Sequence, residues 1–106
     1  MAMPSIAVGR IPVPMDAIDA FCRKWNVREL SLFGSVLRED FSPQSDVDVL
    51  VEFEPGTSRS LFDLVEMRDE LRTLFGREVD LVSQGGLRNP FRRQEILTTR
   101  QVLYAA

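Results

Sequence analysis

Residues 33–53 read FGSVLREDFSPQSDVDVLVEF, with a glycine-serine pair near the start and, toward the end, an apolar run headed by two aspartates. The run VDVLVEF has the length and β-branched content of a strand. Successive strand residues point to opposite faces, so Val47, Val49 and Val51 share one face and Asp46 and Asp48 share the other. The valines belong to a core and the acids do not. Two carboxylates converging to about 4 Å repel by on the order of 4 kcal/mol at an effective dielectric near 20, and by about 1 kcal/mol in water. A cation is the natural remedy, and carboxylate oxygens suit Mg²⁺, which takes the rest of its shell from water and substrate phosphates. The competing reading is an acidic strand edge that discourages sheet-to-sheet association.

Working outward, RELSLF ends a short strand at Gly34, the Ser42-Pro43-Gln44-Ser45 segment is a loop, and Glu54-Pro55-Gly56 closes the aspartate strand. Ser60 caps a helix in which Leu61, Leu64, Val65, Leu71, Leu74 and Phe75 recur at three and four before Gly76 stops it. REVDLV, residues 77–82, reads as a third strand. A last helix is expected after Pro90 through FRRQEILTTRQVLYA, with Thr98 and Thr99 as weak points. Upstream, apolar residues at 15, 18, 21, 22 and 25 predict a first helix over residues 14–25. Residues 1–13 carry no signal-peptide core and are expected to be a flexible tail before a single cytoplasmic domain, residues 14–106. The order predicts a small α/β (α+β) domain, a short sheet covered by helices. The helical crossover favours parallel pairing of the second and third strands, and a mixed sheet is equally allowed.

Asp80 changes the weight of the paired acids. With Val79 and Leu81 packed, Asp80 falls on the opposite face of its strand, which is the face of Asp46 and Asp48 if the two strands are neighbours. Three acids around one point hold two metal ions, a geometry that stabilises both oxygens of an in-line displacement. Taken alone, Asp80 reads equally as an edge residue. Gly34 and Ser35 follow a strand, where glycine allows close backbone approach and exposed N–H groups favour phosphate; a helix cap is the plainer alternative. Arg38 either faces the side of Ser35 or pairs with Asp40. Ser45 is a turn former or a second hydroxyl over the phosphates.

Composition narrows the chemistry. The 106 residues leave room for one core. No histidine is present, which removes imidazole bases and His-ligated zinc, and the single cysteine, Cys22, removes an internal disulfide. A net charge of −3 argues against a domain dedicated to duplex DNA. No apolar run approaches the roughly 20 residues that span a bilayer. Arg88, Arg92, Arg93 and Arg100 form a basic cluster, read as a solvated face or as a docking face for an acidic partner or partner-bound RNA.

The combination LFGSVLRED, SDVDVLVEF, SLFDLVEMRDEL, GREVDLV and NPFRRQEILTTRQVLY resembles the DNA polymerase β type nucleotidyltransferase superfamily, and within it the minimal nucleotidyltransferase (MNT) domain. The resemblance implies that Asp46, Asp48 and Asp80 are the metal-binding and catalytic carboxylates, with two Mg²⁺ ions. It places Gly34 and Ser35, with Arg38 and Ser45, at the nucleotide, ATP or another NTP. The position after the motif arginine is often glycine in this branch; here it is Glu39. The resemblance further implies a partner, a HEPN-domain toxin, to which AMP is transferred on a tyrosine, making this chain the antitoxin. An alternative is neutralisation by binding and occlusion with a weak site. An antibiotic-modifying enzyme is disfavoured for want of surface to shape a small-molecule pocket.

Overall fold

In the computed structural model, which describes residues 6–8, 11–39 and 41–106, the run headed by the paired aspartates forms a strand over Val47–Phe53, which includes Asp48 and begins one residue after Asp46. Numbered in chain order this is β4, preceded by β3 (Val27–Phe33) and followed by β5 (Val79–Ser83) and β6 (Gln101–Ala105). Antiparallel β3 and parallel β5 flank β4, and β6 pairs antiparallel with the far side of β3. The sheet is therefore mixed, in the order β5-β4-β3-β6. Val47, Val49 and Val51 are buried in the main core with Leu30 and Leu32. Leu50 points the other way, into a smaller cluster with Phe33, Leu87 and Ile96. Coverage of both faces explains why β4 is nearly continuously apolar beyond Asp48.

Helix α1, Met15–Lys24, lies on the main-core side and buries Ile18, Phe21 and Cys22, close to the expected span. Helix α2, Leu61–Phe75, makes the crossover from β4 to β5 on the same side. It opens with a capping box: Asp63 N–H donates to Ser60 Oγ, and Ser60 N–H donates to Asp63 Oδ2, both at 3.1 Å. It closes at Gly76, whose φ of 67° lets its N–H reach the Arg72 carbonyl at 2.8 Å. The buried stripe is Met67, Leu71 and Phe75. Leu61 and Val65, expected in that stripe, point outward at 75% and 41% exposure.

Two expectations need correction. The first thirteen residues are not simply a tail: Ile6–Val8 (β1) and Ile11–Val13 (β2) pair antiparallel, and Ile11 and Val13 sit in the main core. Three-residue strands are too short to show a period, so composition alone suggested fraying. The last helix also ends early. Helix α3 spans Pro90–Thr99, after which Arg100 turns extended and the chain becomes β6. Thr98 and Thr99 donate their hydroxyls to the carbonyls of Gln94 and Glu95 at 2.8 and 2.7 Å, bonding that weakens a helix end. Arg100 then pairs with Glu29 of β3 at 3.3 Å, and Leu103 enters the main core. No helix among the described residues is long and apolar enough to cross a membrane.

Candidate active site

The sheet register sets Phe33, Asp48 and Asp80 side by side on three adjacent strands. Because Val47, Val49 and Val79 turn into the main core, Asp48 and Asp80 both face the side covered by α3. Asp48 is half-buried, whereas Asp46 and Asp80 are exposed. The Asp48 carboxyl is held above its ordinary range, first by burial, then by the negative charges of Asp80 and Asp46; Arg92 and Arg38 pull it back. Asp46 and Asp80 thus act on a common neighbour.

Gly34 begins a 3-10 turn, Gly34–Leu37, directly after β3. Its φ of +76° is a left-handed conformation, and a Cβ there would overlap Asp48 Oδ2 and lie 3.2 Å from Asp48 Cγ. Glycine is required on both counts, backbone conformation and room for the carboxylate. Ser35 is half-buried in the turn, and its carbonyl accepts from Arg38 N–H at 2.9 Å. A cleft of about 360 Å³ opens between this turn and α3, lined by Gly34, Leu37, Arg38, Arg92, Glu95 and Thr99, among others.

The other expected residues fall elsewhere. The Ser45 hydroxyl accepts from Ser42 N–H at 3.1 Å and lies 3.2 Å from the Ser42 hydroxyl, while Ser45 lines a separate cavity with Arg77 and Glu78. The turn-forming reading accounts for these contacts. Glu39 is exposed, and Asp40, offered as a partner for Arg38, lies outside the described residues. The basic cluster does not act as one face. Arg92 lines the Gly34 cleft, Arg93 lines a second cleft of about 440 Å³ with Arg59 and Gln84, and Arg100 pairs with Glu29. Sequence reasoning missed Arg92 as a neighbour of the acids. The signal was Ile96, whose burial one turn later orients α3, but nothing in the pattern marked Ile96 as the seat.

Three hard oxygen donors whose mutual repulsion is felt at Asp48 have the chemistry of a Mg²⁺ site. The side chains are not closed around a point: among the described residues no three His, Cys, Asp or Glu groups are arranged to hold a metal ion. The carboxylate donors suit the ion in kind.

A small mixed sheet, acids on neighbouring strands and a glycine turn packed on one of them define a nucleotidyl-transfer fold. The family model described as nucleotidyltransferase domain matches residues 15–103, so the chain belongs to that family. Among curated relatives, the protein adenylyltransferase MntA of Thermococcus cleftensis is 36% identical over 81 residues, covering 76% of this chain and 77% of the relative. A solved structure described provisionally as a minimal nucleotidyltransferase superposes with a TM-score of 0.68 at 34% identity, covering 82% of this chain and 86% of the other. An MNT antitoxin in complex with the tri-AMPylated HEPN toxin of Shewanella oneidensis superposes at 0.59 with 22% identity, covering 87% of this chain and 70% of that one, a likeness of fold.

Proposed function

We propose that this chain transfers AMP from ATP to a hydroxyl, a tyrosine's, on a HEPN-type toxin and so acts as its antitoxin. The observation that carries the reading is the register Asp48–Asp80 with Gly34 backed against Asp48. The name of the Thermococcus relative and the AMPylated toxin held by the Shewanella MNT protein support the nucleotide and the partner.

In this reading the backbone of Gly34 and Ser35 holds the triphosphate, with its α-phosphorus presented to the acids. Asp46, Asp48 and Asp80 are the groups that would hold Mg²⁺, which neutralises the phosphate oxygens and the departing pyrophosphate when bound. The acceptor oxygen forms a bond to the α-phosphorus as the bond to the bridging oxygen breaks. Pyrophosphate leaves, and the hydroxyl proton passes to the carboxylate of Asp80, the exposed acid on the edge strand β5. A tyrosine brought by a partner suits a chain with no acceptor-binding domain among its described residues.

Intact-mass measurement of the partner after incubation with this chain, ATP and Mg²⁺ tests the reading. An AMP increment that disappears with Asp46→Asn is expected; no increment with any nucleoside triphosphate refutes it. Occlusion is the second reading, favoured by the exposure of Phe62 and Phe91 at 86% and 85%. Partner neutralisation that survives the double change Asp46→Asn and Asp48→Asn would select occlusion.

A further inference from the structure

Arg92 occupies a position that the three acids alone do not explain. Helix α3 is started by Asn89, whose Oδ1 accepts from the N–H groups of Phe91 and Arg92 at 2.9 and 3.2 Å. One turn later Ile96 is seated against Phe33 and Leu50, which fixes the rotation of the helix over the sheet. Residues three and four before Ile96 flank that seat. Arg92 consequently reaches into the cleft of Gly34 and Arg38, while Arg93 enters the other cleft, beside Arg59.

The Arg92 side chain is exposed and forms no ion pair among the described residues. Arg92 lines the cleft from α3 with Gly34 and Arg38 on the other wall, so an anion seated there meets cations from two elements, and the planar guanidinium fork matches phosphate oxygens. Glu95, on the same cleft, disfavours a second anion deeper along α3, so the polyphosphate belongs at the Arg92 end.

We propose that Arg92 is a phosphate-positioning residue, clamping the β- and γ-phosphates of the nucleotide from α3 against the Gly34–Ser35 turn across the 360 Å³ cleft. This rests on the nucleotidyltransferase reading of the site. The family resemblance implies Gly34 and Ser35 at the triphosphate and the acids at the metal; the fold adds a cation from the opposite wall.

Titration calorimetry with ATP and with AMP, in Mg²⁺, on the full chain tests it. Arg92→Ala is expected to weaken ATP about 10- to 100-fold, the range for a charge-assisted phosphate contact, while AMP affinity changes less than about threefold and the thermal midpoint holds. Arg92→Lys should recover part of the loss. Arg93→Ala removes the same charge one residue away and is expected to leave ATP affinity within about threefold, as a screened exposed charge does. Equal losses from Arg92→Ala and Arg93→Ala overturn the clamp in favour of a general field, as does an unchanged ATP affinity in Arg92→Ala. If the unaltered chain binds AMP and ATP equally, the clamp is wrong and the nucleotidyltransferase reading stands; if it binds neither, both fall.

Discussion

Asp48 carries a cost that the rest of its strand does not. Burial and the charges of Asp80 and Asp46 raise its carboxyl above the unfolded value, so the native state holds the proton more tightly than the unfolded chain. Stability is therefore lost as pH rises from the unfolded carboxylate range through the folded one, and regained on acidification. Asp48→Asn removes the charge and should stabilise the ligand-free chain at pH 7 by up to about 1 kcal/mol, a figure kept small because solvent screens a half-exposed group. Urea unfolding checks this: the gap between variant and parent should close as the pH falls into the carboxylate range. A variant less stable than its parent at pH 7 would show that Asp48 is a structural acid. The shared face of Asp48 and Asp80 was legible from strand alternation, because period two assigns a face without knowledge of packing, whereas Asp46 precedes β4 and alternation does not place it. Arg92 was not, since four arginines at near-helical spacing look alike until one buried neighbour fixes the rotation of their helix.

Helix α2 shows what element-level patterning reveals and where it misassigns. Its ends were readable, because Ser60 and Gly76 are the residue types those positions require. Its inner face was read correctly at Leu71 and Phe75, which are buried, and at Leu64 and Leu74, which pack against the core, but Leu61 and Val65 were counted inward and Met67 overlooked. Met67→Ala should accordingly cost about 2–5 kcal/mol and Leu61→Ala less than about 0.5 kcal/mol. Chemical denaturation of the two variants checks the phase, and comparable losses would contradict it. At α3 the change from helix to strand after Thr99 was hidden because QVLYA suits either period; the Arg100–Glu29 pair and the free edge of β3, both distant in sequence, select the strand.

The core of the whole molecule draws on segments far apart in the chain, from Ile11 to Leu103. Ile11 and Val13 are 3% and 0% exposed, and each buried aliphatic side chain contributes roughly 1.5–3 kcal/mol. Deleting residues 1–13 should therefore lower unfolding free energy by about 3 kcal/mol or more, and an unchanged urea midpoint would restore the tail reading. The same long-range assembly positions the candidate groups: the turn after β3 brings Gly34, β4 and β5 set Asp48 beside Asp80, and α3 brings Arg92 to the cleft that Gly34 lines. What most directly tests the claim that these groups form one metal-dependent nucleotide site is the ratio of ATP-analogue affinity with and without Mg²⁺, measured for the parent and for Asp48→Asn. Binding by the parent that strengthens at least about tenfold with Mg²⁺, and a ratio near one in the variant, is the expected result. A parent indifferent to Mg²⁺, or a variant that keeps the full enhancement, would contradict it.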